Sequence, residues 1–208
     1  MNIHCFPLGK LKTNCYVVTD EESCIVIDPG EAPVEIIHFL EGREVDHIFL
    51  THCHHDHIAG LNRLRKHTGA PVSVHHSETE WLKNPSLNGS GNHASPISCE
   101  TPELLLKGNE VIKCGTLKIK VIHTPGHSPG GSCYLLNEKH LFTGDTLLAG
   151  MIGPTNLPSG NREELKNSIK TKLFTLPPDL TIYPGHGETS TIGYEKEHNL
   201  FPNLKMFY

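Results

Sequence analysis

The segment Thr51-His52-Cys53-His54-His55-Asp56-His57 carries an HxHxDH pattern, with three imidazoles and one carboxylate at its defining positions. Neutral imidazole nitrogens and carboxylate oxygens suit a borderline divalent cation such as zinc. The pattern directly follows the apolar run His47-Ile48-Phe49-Leu50 and precedes apolar residues at helical spacing, Ile58, Leu61 and Leu64. Side chains alternate along a strand, so His52 and His54 are expected on one side. Asp56 and His57, in the turn, would face a second point nearby. The bland alternative is a cluster of exposed histidines. The internal position behind a core strand argues against it, and chance would produce the pattern in well under ~1% of chains.

Three more candidate ligands stand behind strand-like runs. They are His127 in Thr124-Pro125-Gly126-His127-Ser128-Pro129-Gly130-Gly131, Asp145 in Thr143-Gly144-Asp145-Thr146, and His186 in Pro184-Gly185-His186-Gly187. A neighbouring glycine permits a tight turn and a close approach to each. Any one of the three would read as structural; their order and shared context make the set specific. Seven candidate ligands exceed the four of a tetrahedral zinc site, so two metals sharing one carboxylate account for them better than one metal does.

The remaining chain must position these residues. Residues 2–6, 14–19 and 24–27 read as an antiparallel meander ending at Asp28-Pro29-Gly30. Helical spacing covers 33–41 and 58–67, with Gly69 as a stop. A short strand at 72–74 and a helix at 77–83 follow. Residues 84–102, rich in Asn, Ser, Gly and Pro, read as a surface loop that can act as a flap over the site. Strands are expected at 110–113, 116–123, 132–136, 140–142 and 181–183, with helices at 161–174 and 191–199. No short-period repeat is present, and two mixed sheets with helices outside is the layering that fits.

The 208 residues, 37% hydrophobic and 20% charged, suit one globular domain spanning 1–208. A net charge of −5 without a long basic run gives a nucleic-acid partner no electrostatic support. No apolar stretch approaches the roughly 20 residues of a membrane helix. The start Met1-Asn2-Ile3-His4-Cys5-Phe6-Pro7 lacks the features of a signal peptide, so a cytoplasmic location is expected. Seven scattered cysteines without a CxxC pair agree, most of them reading as reduced, packed thiols. Of the sixteen histidines, His38, His67, His140 and His198 read as surface residues.

The succession HxHxDH, TPGHSPG, GDT and PGHG resembles the metallo-β-lactamase-fold hydrolases, most closely their glyoxalase II-like (hydroxyacylglutathione hydrolase-like) branch, over essentially the whole chain. The resemblance implies a four-layer αββα sandwich with a metal site at one edge of the sheets. It implies that His52, His54 and His127 hold one metal, that Asp56, His57 and His186 hold a second, and that Asp145 bridges them. Asp28 would steady the histidine loop from behind. The expected cofactor is two zinc ions per chain, with iron or manganese as the other candidates. A water between two such ions loses its proton near neutral pH and becomes the hydroxide nucleophile. Asp56 would also accept a proton. The expected substrate is a small thioester or related acyl compound.

The sequence departs from that branch in two places. The glutathione thioesterases carry a C-terminal helical domain with basic residues, whereas here 22 residues follow His186, among them Tyr194, Lys196, Lys205, Phe207 and Tyr208. Short relatives read close to GRTDLPGG after the bridging Asp. This chain reads Gly153-Pro154-Thr155-Asn156-Leu157-Pro158-Ser159-Gly160, with Pro154 and Asn156 replacing an arginine and an acid. Glutathione recognition is therefore not expected to carry over. A single-iron persulfide dioxygenase and a lactonase are the competing activities. Cys53 and His55 are expected outside the ligand set, as are His76 at a helix start and His123 in a strand. Trp81 is a candidate for the cleft wall.

Overall fold

The computed structural model describes residues 1–31 and 34–200. Strands β1 (Asn2–Leu8), β2 (Thr13–Thr19) and β3 (Cys24–Ile27) form an antiparallel meander, to which β4 (His47–Phe49), β5 (Val72–His75) and β6 (Leu104–Leu106) add in parallel. The second sheet contains β7 (Val111–Cys114), β8 (Leu117–His123), β9 (Ser132–Leu136), β10 (His140–Gly144), β11 (Thr181–Pro184) and β12 (Ser190–Thr191). Its strands are antiparallel except for the parallel β10–β11 pair.

Period-two alternation builds the layers. Along β2, Tyr16 and Val18 face the other sheet, where they meet Ile119, Val121, Tyr134 and Phe142, while Cys15 and Val17 face outward. Helices α1 (Val34–Phe39), α3 (Leu61–Thr68) and α4 (Thr79–Lys83) cover that outer face through Ile36, Leu61, Leu64 and Leu82. On the far side, Leu135, Leu141 and Ile182 pack against α5 (Arg162–Ser168), the π-helical turn Ile169–Leu173 and α6 (Ile192–His198). The result is the αββα sandwich of two mixed six-stranded sheets expected from the sequence. Among the described residues, no helix is long and apolar enough to cross a membrane.

Several elements differ from expectation. The helix read over 58–67 is two pieces, α2 (His55–Ile58) and α3, separated at Ala59-Gly60. The helix read over 77–83 begins as a 3-10 turn at His76–Glu78. Helix 161–174 is α5, capped by Asn161, which accepts from Glu164 N, and then widens into the π-helical turn. Strands β6 and β12 were not anticipated: one is a three-residue leucine run behind a polar loop, the other only two residues long. The 84–102 segment has no strand or helix, yet it is not wholly on the surface. Asn88 and Ser90 are fully buried, and Asn88 Nδ2 donates to Trp81 O and Ile97 O, which folds the loop around one side chain. Of the tail residues, Lys205, Phe207 and Tyr208 lie outside the described residues.

Candidate metal centre

All of the motifs converge on one edge of the sandwich. The parallel strands β3 and β4 run to that edge, as do β10 and β11, and loops beyond strand C-termini are where α/β sheets place their ligands. Asp28 follows β3, Thr51 to His57 follow β4, His127 follows β8, Asp145 follows β10 and His186 follows β11. The two sheets are joined just below the site, where Tyr134 Oη donates to Leu50 O and Ser132 N to Thr51 O. Because β4 ends at Phe49, His52 and His54 lie in the loop and not on the strand. Strand alternation is therefore not what aligns them. Their rings still meet, with centroids 4.8 Å apart.

The potential ligand atoms fall into three overlapping groups, His52/His54/His127, His52/His57/Asp145 and Asp56/His57/His186, each with its atoms within 4.8 Å of one another. In the first group, His127 Nε2 is 2.8 Å from His54 Nδ1 and 3.2 Å from His52 Nε2. In the last, Asp56 Oδ2 is 3.5 Å from His57 Nε2 and 3.3 Å from His186 Nε2. Asp145 lies between the groups: Oδ2 is 3.6 Å from both His127 Nε2 and His186 Nε2, and Oδ1 is 3.5 Å from His57 Nε2.

The surrounding hydrogen bonds determine which nitrogens point inward as lone pairs. His57 Nδ1 donates to Asp28 Oδ2 at 2.9 Å, His127 Nδ1 to Pro154 O at 2.7 Å, and His186 Nδ1 to Leu11 O at 3.1 Å. Thr51 Oγ1 donates to Asp28 Oδ2, so it accepts from His52 Nδ1 at 3.1 Å. In each of these four rings the Nδ1 proton is committed to an outer partner, so the neutral ring aims a bare Nε2 at the centre. Bare nitrogens do not hydrogen-bond to one another or to carboxylates, and His57 Nε2 and Asp145 Oδ1 are buried polar atoms without a hydrogen-bond partner. Converging lone pairs of this kind fit divalent cations.

The electrostatics agree with that fit. Burial, reinforced by the neighbouring imidazoles, holds His52 well below the usual histidine range and His54 at about 3. Burial would also lower His57, but Asp56, Asp28 and Asp145 outweigh it and raise this group to about 10. Desolvation opposes ionisation of Asp56 as well, yet His57, His186 and the Thr13 hydroxyl hold its carboxyl far below the ordinary range. Without a cation, the three carboxylates therefore keep His57 protonated on both nitrogens, a positive charge that a bound metal would replace at Nε2, while His52 and His54 stay neutral.

Some supporting residues were not anticipated. Thr13 Oγ1 donates to Asp56 Oδ2 at 2.7 Å. Glu78, fully buried on the 3-10 turn, accepts from Cys53 N at 2.5 Å and Gly130 N at 2.7 Å, tying the HxHxDH loop to the His127 loop. Neither carries a sequence signal: Thr13 reads as a turn residue between strands and Glu78 as one more acid on a short helix. Asp28 does what the sequence suggested: its carboxylate takes Thr51 N, Thr51 Oγ1 and His57 Nδ1, from a backbone with φ 53°. Cys53 is a fully buried thiol whose pKa burial raises, and His55 turns aside to pack on His93. His75 and His123 stack at 3.9 Å away from the ligand groups, and Trp81 packs 5.6 Å behind His54, buried and not on the cleft wall.

Comparison with known proteins agrees with this geometry. Residues 8–186 match the metallo-beta-lactamase superfamily. The chain is 34% identical to the probable metallo-hydrolase YqgX of Bacillus subtilis, over 95% of each chain. It is 33% identical to hydroxyacylglutathione hydrolase GloC of Haemophilus influenzae, over 99% of this chain and 100% of GloC. Among solved structures, the BLEG-1 B3 metallo-beta-lactamase superposes with TM-score 0.92 at 37% identity, covering 97% of this chain and 99% of its own. TTHA1623, in a di-iron-bound form, gives 0.84 at 29% identity, covering 95% and 99%. With one family spanning most of the sequence and its fold reproduced in both sheets, this chain belongs to the metallo-beta-lactamase superfamily.

Proposed function

We propose that this protein is a binuclear metal-dependent hydrolase acting on thioesters or related acyl compounds, in the manner of its hydroxyacylglutathione hydrolase relative. His52, His54 and His127 would hold one ion, Asp56, His57 and His186 the other, and Asp145 would bridge. The observation carrying this reading is the set of four imidazoles whose Nδ1 protons are taken by Asp28, Thr51, Pro154 and Leu11, leaving bare nitrogens around Asp145. Bound there, a pair of zinc ions would supply an acidified water and polarise the scissile carbonyl.

The chain's own groups do the rest. Asp56, reached from the cleft and held by Thr13, is the proposed acceptor for the proton the water gives up. Asp28 and Thr51 orient the rings behind the site. Glu78 keeps the two ligand loops in register.

The test is metal analysis of purified protein together with hydrolysis assays on thioesters, esters and lactones. Two zinc ions per chain with hydrolysis support the reading. One iron per chain, with oxygen consumed on a persulfide and no hydrolysis, would overturn it. Lactoylglutathione is expected to be a slow substrate with a high KM, because binding of remote substrate parts drives rate and Pro154 stands where short relatives have arginine. A strong preference for it over generic thioesters would refute that expectation.

A further inference from the structure

The cleft above the candidate ligands has a volume of about 410 Å³, within the range of small-molecule sites, and its other walls are Leu11, Leu87, Leu148, Pro154, Leu157 and Pro158. These come from three separate segments: the turn after β1, the 84–102 loop, and the stretch between Asp145 and α5. Leu11, Leu87 and Leu157 are 57%, 36% and 39% exposed. One exposed leucine is unremarkable, but three converging from distant segments on one cleft mark a binding surface.

Charge narrows the choice further. Among the described residues, no lysine or arginine lines this cleft, and its ionisable groups there are His55 and the candidate ligands. A carboxylate on the part of the substrate lying here would find no cation beyond the metal site and would face Asp56 and Asp145. A second, more polar cleft of about 640 Å³ adjoins it at Leu11, His55 and Asp56 and carries Lys10, Glu31 and His93. The two clefts thus differ in polarity where they meet beside Asp56.

Resting on the hydrolase reading, we infer that this protein selects neutral substrates R–CO–X whose acyl arm R is apolar and lies along the leucine-lined cleft, with the polar leaving group X in the adjoining cleft. Hydrolysis adds water across the C–X bond, giving R–COOH and H–X. The inference concerns which R is accepted.

The experiment uses zinc-loaded full chain and esters of one leaving group with acetyl, butyryl, hexanoyl, pentanoyl and glutaryl arms. The expected result is that kcat/KM rises about threefold per methylene from acetyl to hexanoyl. Glutaryl, a pentanoyl-length arm tipped with a carboxylate, should fall about tenfold or more below pentanoyl. Binding of acetohydroxamate and hexanohydroxamate, measured by calorimetry without turnover, should show the same chain-length preference. The double substitution Leu87→Ser with Leu157→Ser should flatten both series, and Leu157→Lys should narrow the gap between glutaryl and pentanoyl. Hydrolysis with no chain-length dependence, or with glutaryl preferred, would overturn the inference and leave the hydrolase reading intact. Absence of hydrolysis from every ester would overturn the hydrolase reading, and equal hydroxamate affinities would then also reject apolar recognition by the cleft.

Discussion

Replacing Asp28 by asparagine tests the proposition that outer hydrogen bonds aim the imidazoles. Asp28 is 1% exposed, and its two oxygens take three donors at 2.6 to 2.9 Å: Thr51 N, Thr51 Oγ1 and His57 Nδ1. Asparagine is close in shape and tolerates the φ of 53° found here, so Asp28→Asn changes the chemistry and not the backbone. The amide oxygen can keep Thr51 N–H, but the amide NH₂ then faces Thr51 Oγ1 and His57 Nδ1. The hydroxyl can rotate to accept. His57 must move its proton to Nε2, which puts a donor where a ligand lone pair is needed. The expected loss is about 10- to 100-fold in affinity at the Asp56/His57/His186 group, or about 1.4 to 2.7 kcal/mol. The metal-free fold should lose about 1.5 to 3 kcal/mol through the missing charge-assisted bond to His57. Chelator competition with metal counting by mass spectrometry reads the first quantity, and urea unfolding reads the second. Two metals held at wild-type affinity in Asp28→Asn would refute the orienting argument.

Asp145→Asn should weaken both ligand groups together, because one carboxylate lies 3.5 to 3.6 Å from a nitrogen of each; metal content staying at two per chain would contradict bridging. Gly185→Ala should also empty the site, since a Cβ there would meet Asp145 Oδ1 and lie 2.7 Å from His57 Cε1; an unchanged metal content would show that the loop yields. In metal-free protein, His54 at about 3 contributes stability above the unfolded value near ~6.5 that is lost as pH falls toward 3. His57 at about 10 contributes stability below ~6.5 that is lost as pH rises through 10. Melting of chelated protein should therefore peak near neutrality, and a flat profile from pH 4 to 10 would reject both assignments. Metal retention should fall as pH drops through the imidazole range, read by metal content after equilibration at stepped pH.

The seven candidate ligands were legible because metal chemistry restricts residue type and because each motif sits behind an apolar run long enough to read as a strand. The layering was legible for a related reason: alternation in runs such as Tyr16-Val17-Val18 leaves two apolar faces, and a sheet with two apolar faces must be covered on both. What the sequence left undecided involves contacts between segments distant along the chain. Strand alternation was the wrong reason for aligning His52 with His54, because β4 stops at Phe49 and a loop pinned by Glu78 does the aligning. Glu78 looks like an ordinary helix residue and Thr13 like a turn residue until folding brings them to Gly130 and Asp56, each more than forty residues away. Pro154 looked like a lost arginine, yet its carbonyl fixes the His127 tautomer and its ring joins an apolar cleft wall. Residue type carries donor chemistry and local periodicity, which is why candidate ligands could be picked out from the chain alone. Which proton each imidazole keeps, and which leucines from three loops share one cleft, depends on through-space neighbours that only the tertiary fold supplies.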